Sequence, residues 1–199
     1  MRPIENVFGT IAFVASIASV PATTVNAADR ATWEMPRSPG PCGVEVIALE
    51  WLDQARSRQV PVKIYYPKYA TGLCPVIIFS HGLGGSRETY EYLGRHWASH
   101  GYVSLHVQHE GSDTDVWKKA NRPEESLRRA AADVSNAVNR PKDVSFAIDQ
   151  IIKAGRDQTA LRGRIDAERI GVSGHSFGAY TALAVAGQSF SGPLGGKQW

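Results

Sequence analysis

The sequence predicts an α/β fold: a mostly parallel sheet with helices on both faces. Short strand-like runs recur at Val76–Phe79, Tyr102–Val107 and Arg169–Ser173. The first is apolar throughout, as suits a strand buried on both sides. Between the runs lie segments whose apolar residues repeat at helical spacing, so strand, helix, strand, helix, strand follow in the order a parallel sheet needs. With 199 residues, 43% hydrophobic and 21% charged, the composition is that of one ordinary globular domain. Lysine and arginine exceed the acids by only 22 to 19, which gives no electrostatic reason to invoke nucleic acid as a partner.

The chain opens with a targeting pattern. Met1 and Arg2 give a positive start, Val7–Val20 is almost wholly apolar, and Val25-Asn26-Ala27 offers small residues for cleavage. That stretch of roughly 14 apolar residues is short of the ~20 a membrane span requires. The expectation is a signal peptide at 1–27 and a secreted or periplasmic location. In an oxidising compartment Cys42 and Cys74 are candidates for a disulfide. Two buried free thiols fit the sequence equally well.

Residues 28–42 carry Pro36, Pro39, Gly40 and Pro41 and read as an extended lead-in, with the folded domain over 43–199. Val44–Leu52 and Val60–Tyr66, separated by the polar Asp53–Gln59, predict an antiparallel hairpin. After the Val76–Phe79 strand, Ser86 is placed to cap a helix whose Tyr90, Leu93 and Trp97 share a face, with Gly101 ending it. Pro141 at a first helical position, followed by Val144, Ala147, Ile148, Ile151 and Ile152, predicts a strong amphipathic helix. Glu110–Asn139, with Lys118, Lys119, Arg122, Arg128 and Arg129, reads as a polar surface excursion. Its charge suits a solvated helical face, and leaves transient contact with a membrane surface as the second reading.

Gly174-His175-Ser176-Phe177-Gly178 fits the Gly-x-Ser-x-Gly nucleophile elbow, a tight strand-to-helix turn that lifts a serine hydroxyl above the sheet. Glycine is needed at 174 and 178 because a side chain would crowd the turn and the helix behind it. The context is right, since the motif follows the last predicted strand and opens a helix containing Tyr180, Leu183 and Ala184. His81-Gly82-Leu83-Gly84-Gly85 follows the buried strand, where an elbow of this type finds half of its oxyanion hole. The amides of Leu83 and Phe177 are the natural donors, each worth roughly 3 kcal/mol to an oxyanion.

Phe79-Ser80-His81-Gly82-Leu83-Gly84-Gly85 together with the elbow resembles the platelet-activating-factor acetylhydrolase family and the related dienelactone-hydrolase-like esterases, which have the α/β-hydrolase fold. The likeness continues through Pro61–Pro67, Gln108–Asp113 and Arg140–Phe146, and covers residues 44 to about 190. It implies hydrolysis of a small-molecule or lipid ester by Ser176 without metal or organic cofactor. It also matches Leu83 and Phe177 to the family's leucine and phenylalanine at the oxyanion hole. Polyester-cleaving cutinases share the elbow but usually carry methionine after the serine, a poorer match.

One departure stands out. In this fold the triad runs serine, acid, histidine along the chain, yet residues 177–199 contain no aspartate, glutamate or histidine, and all six histidines precede Ser176. The C-terminal strands of the fold are missing as well. A truncated esterase accounts for all of these absences together; a non-catalytic secreted binding protein derived from the fold is the alternative. Of the upstream histidines, His81 lies nearest the site: the expectation is that it fixes the oxyanion loop, with service as a substitute base the lesser reading.

Overall fold

A computed structural model of the protein describes residues 38–188. The predicted leader, most of the lead-in and residues 189–199 lie outside them. β1 (Val44–Asp53) and β2 (Arg58–Pro67) form the hairpin, in register from Val44 opposite Pro67 to Asp53 opposite Arg58. Its tight turn is closed by Ser57 at φ 48° and by the Asp53 carboxylate, which accepts from the Arg56 side chain. β3 (Cys74–Ser80), β4 (Val103–Val107) and β5 (Ile165–Gly174) complete a sheet of order β1-β2-β4-β3-β5. β3 lies parallel to β4 on one side and to β5 on the other, whereas β1–β2 and β2–β4 are antiparallel. The sheet is therefore mixed rather than mostly parallel. Strand patterns report burial, but nothing in them says that the hairpin docks antiparallel on β4.

Helices cover both faces. On one, α4 (Val134–Asp157) lays Val144, Ala147 and Ile151 against Val62, Ile64, Ile78 and Leu105, and all seven are fully buried. Each such Val, Ile or Leu is worth roughly 1.5–3 kcal/mol of transfer free energy. On the other, α1 (Glu91–Ser99) approaches so closely that a methyl on Gly94 would lie 2.5 Å from the Tyr65 ring and 2.9 Å from His106. α5 (Phe177–Val185) packs on β5, β3 and α4.

Two helix starts differ from the sequence expectation. α1 begins after Tyr90, at φ 62°, not at Ser86. The Ser86 hydroxyl instead accepts from the Glu88 amide, closing a local turn that competes with helix. α4 begins at Val134, capped by the Asp133 carboxylate on the Ser135 amide, so Pro141 lies inside the helix. The polar excursion holds α2 (Asp115–Lys118), α3 (Pro123–Ala132) and the first turns of α4, and its Ser112, Asp113 and Asn136 are buried. Cys42 and Cys74 are separate free thiols, not the candidate disulfide. The Cys42 amide bonds Ser99 at the end of α1, and the Cys74 amide bonds Arg164 before β5.

Candidate active site

The site is built where β5 turns into α5. Ser176 occupies this turn at φ 53°, ψ −116°, a backbone region that costs an L-residue of order 1–3 kcal/mol. The turn closes through Gly178 N–H to His175 O at 2.8 Å and Ala179 N–H to Ser176 O at 2.9 Å. Flanking glycines make it sterically feasible. A methyl on Gly174 would meet the Gly178 carbonyl at 2.3 Å, and one on Gly178 would meet the Ser80 carbonyl oxygen at 1.9 Å. The His175 amide donates to that same Ser80 oxygen at 3.2 Å, so the elbow is seated on the end of β3.

The loop His81–Gly85 runs beside the elbow. A methyl on Gly82 would lie 3.4 Å from Cβ of Ser176. Gly84 has φ 74° and faces Trp117 and Leu127 with no room for a side chain. Its amide donates to Ser112 O at 2.8 Å, and its carbonyl accepts from the Trp117 indole at 2.8 Å. The excursion after β4 thus braces the loop. Loop and elbow together line a hollow of about 250 Å³ that exposes Ser176, Leu83, Tyr90 and His175. Among the described residues, neither the Leu83 nor the Phe177 amide is taken up by a protein acceptor, as donors awaiting an oxyanion require. Ser176 Oγ has no hydrogen-bond partner among them either, and the His175 ring packs on Tyr90, centroids 5.3 Å apart.

His81 supplies no base. Its Nε2 accepts from the His109 amide at 3.2 Å, which leaves the proton on Nδ1 facing Gly82 O at 2.6 Å. Burial, then the neighbouring His109 and Arg140, hold its pKa well below the usual histidine value. The ring is a fixed strut at the root of the His81–Gly85 loop.

Beneath loop and elbow lies a buried polar network. Arg140 donates through Nε to Thr181 Oγ1 (3.0 Å), through Nη1 to Ser112 Oγ (2.8 Å), and through Nη2 to Ser80 Oγ (3.1 Å) and the His81 carbonyl. Ser80 Oγ lies 2.9 Å from His109 Nε2, and His109 Nδ1 lies 3.0 Å from Asp143 Oδ2. Because a carboxylate only accepts, Nδ1 carries the proton and Ser80 donates to Nε2. Burial, then the Arg140 charge, bring His109 down to about 4, so it is neutral at neutral pH. Burial pushes the Asp143 carboxyl up, but hydrogen bonds from His109 and Arg58 outweigh it and the net direction is down. Asp143 also pairs with Arg56 and Arg58, both at 2.8 Å. This serine, histidine and aspartate have the contacts of a triad, yet all three are sealed from solvent.

Sequence reasoning missed this network because its contacts join residues 28 to 87 positions apart along the chain. One signal was available: Arg140 and Asp143 share a helix with Val144, Ala147 and Ile151, and charges on an apolar face are rarely buried unless partnered. Among the described residues, no group of three or more His, Cys, Asp or Glu side chains is placed to hold a metal ion.

Residues 46–144 match the family described as platelet-activating factor acetylhydrolase, isoform II. That span contains the His81–Gly85 loop and most of the buried network. Among curated relatives, platelet-activating factor acetylhydrolase of Bos taurus is 29% identical over 137 residues, 55% of this chain and 31% of its own length. Its Cavia porcellus counterpart is 27% identical over 64% of this chain and 35% of its own. Cutinase 2 of Thermobifida cellulosilytica is 30% identical over 63% of this chain and 38% of its own. The chain thus spans about a third of the length of these relatives. The ferulic acid esterase from Streptomyces cinnamoneus superposes with a TM-score of 0.54 at 21% identity, over 77% of this chain and 57% of that one, a likeness of fold.

Proposed function

The chain belongs to the platelet-activating-factor-acetylhydrolase-like family of α/β hydrolases, and from that premise we propose that it is a carboxylic-ester hydrolase with Ser176 as nucleophile. The observation that carries the reading is the strained, exposed Ser176 facing a hollow beside two unoccupied amides. Ser176 Oγ adds to the ester carbonyl, and the Leu83 and Phe177 amides hold the resulting oxyanion. The alcohol leaves, and water then releases the acid from the acyl-serine. In this reading the histidine and acid belong to a longer form, because residues 177–199 hold no aspartate, glutamate or histidine and the chain spans about a third of the length of its curated relatives. The relatives named platelet-activating factor acetylhydrolase make a lipid ester the first substrate class to try, and the Met1–Ala27 leader extends the reading to export, checked by the N-terminal sequence of exported protein. A protein of residues 28–199 alone is expected to show little multiple turnover, because among the described residues no base reaches the hydroxyl.

The test is hydrolysis of p-nitrophenyl butyrate by a longer form and by its S176A variant. Loss of turnover by about 10⁴-fold or more is the expected result. A folded variant that keeps near-parental turnover would remove Ser176 from the mechanism. Retained binding of an ester in a longer form that never turns over would favour the non-catalytic binding reading.

A further inference from the structure

The guanidinium of Arg140 touches both halves of the oxyanion hole from below. On the elbow side, its Nε donates to Thr181 Oγ1, which itself donates to the Phe177 carbonyl at 2.9 Å. Its carbon lies 4.5 Å from the centre of the Phe177 ring. On the loop side, Nη2 holds the His81 carbonyl and Ser80 Oγ, while Nη1 holds Ser112, whose carbonyl receives the Gly84 amide. Leu83 thus lies between two residues that Arg140 fixes, one directly and one through Ser112. The hole's two amides belong to segments about 90 residues apart in sequence, and this one side chain spans them.

A role in stability alone explains the residue poorly. Arg140 is fully buried, yet among the described residues no carboxylate lies within ion-pair distance of it. Its acceptors are three hydroxyls and a carbonyl. A buried cation whose hydrogen-bond acceptors are all neutral, with Asp143 and Asp113 acting on it only from beyond ion-pair distance, is a costly way to fill a core, which an apolar residue of similar volume commonly fills at no loss of stability. What an apolar residue cannot supply is the planar fork that fixes several acceptors at set angles. Asp143 and His109 act one step behind: through Ser80 they orient the hydroxyl that Nη2 meets.

Resting on the reading of Ser176 as nucleophile, we propose that Arg140 is a positioning residue that sets the Phe177 and Leu83 amides at the separation the oxyanion needs, acting through Thr181 on one side and through His81 and Ser112 on the other. Its contribution falls on the transition state rather than on substrate binding, because neither the guanidinium nor its acceptors reach the hollow.

The experiment uses a longer, ester-hydrolysing form with p-nitrophenyl butyrate as probe. Arg140→Met is expected to lower kcat about 100-fold, the scale of a ~1 Å misplacement, with KM within about threefold of the parent. Arg140→Lys, which keeps the charge and some of the contacts, should recover part of that loss. Thr181→Val keeps the shape and removes only the elbow-side link, so it decides the matter should Arg140→Met fail to fold. A fall in kcat of about tenfold with an unchanged melting temperature is expected of it. Folded Arg140 and Thr181 variants with kcat within twofold of the parent, or a loss carried by KM alone, would overturn the role of Arg140. An S176A variant run in parallel separates the two readings. If it hydrolyses the ester as the parent does, the nucleophile assignment falls, and with it the site Arg140 is said to set.

Discussion

Replacing Gly178 with alanine places a methyl carbon 1.9 Å from the carbonyl oxygen of Ser80, 2.6 Å from its carbonyl carbon and 2.9 Å from the carbonyl oxygen of His81. All three atoms are backbone of β3 and of the His81–Gly85 loop, so no side chain can swing aside. Restoring ordinary contact, 3.4 Å or more, requires α5 to withdraw from β3 by about 1.5 Å. Overpacking of this kind costs about 1–3 kcal/mol, and a clash made wholly with backbone belongs at the upper end, about 3 kcal/mol. Urea unfolding followed by tryptophan fluorescence reads that loss as a fall in midpoint of roughly 1–3 M. Gly171→Ala, on the same strand as Gly174 but with nothing within 4 Å of its added methyl, is the control, expected within about 0.5 kcal/mol of the parent. A Gly178→Ala midpoint equal to that of Gly171→Ala would refute the steric account of the elbow.

Asp143→Ala should destabilise by about 3–5 kcal/mol, because it strips the shared acceptor from His109, Arg56 and Arg58; a loss under about 1 kcal/mol by urea unfolding would count against the network. Stability should fall as pH drops from about 6.5 to 4: burial first of all holds both His106 and His109 near 4, below the unfolded value of about 6.5, so the unfolded state binds protons that the folded state refuses. The loss reaches on the order of 3 kcal/mol for each histidine, and urea midpoints that stay level from pH 7 to 4.5 would contradict it. Under native conditions a thiol reagent should modify the half-buried Cys42 before the buried Cys74, with both reacting in denaturant; a native mass two hydrogens lower, marking a disulfide, would overturn the free-thiol assignment.

The elements that bring Ser176 into place were legible because each carries its signal locally. The hairpin, the apolar β3 and the pattern of glycines around Ser176 need only a few neighbouring residues to be read. Start signals were less faithful. Ser86 and Pro141 both have the chemistry of a helix beginning, but the Ser86 hydroxyl closes a turn and α4 starts seven residues before Pro141, at a cap supplied by Asp133. β5 looked shorter than it is because residues 166–169 break its pairing with β3, Ile165 standing opposite Cys74 and Ile170 opposite Val76. Asp166 holds that break together by accepting from the Glu168 amide and the Arg169 side chain. Least legible was the packing of the excursion onto Gly84 through Ser112, Trp117 and Leu127. Its charged residues pointed to a solvated face, and the few side chains that turn inward leave no periodic trace. The Arg140 network was hidden for a related reason, since contacts across 28 to 60 residues are set by the sheet order and not by any local pattern.

Labelling of a longer form with diethyl p-nitrophenyl phosphate tests the assignment of the nucleophile most directly. Attack by Ser176 Oγ forms an O–P bond and releases p-nitrophenolate, so one equivalent of phenolate and one diethylphosphoryl group per chain are expected. Peptide mass spectrometry should place that group on Ser176, with esterase activity lost in proportion and no labelling in the S176A variant. Full inactivation with Ser176 unmodified, or with the adduct on another serine, would contradict the claim that this elbow carries the chemistry.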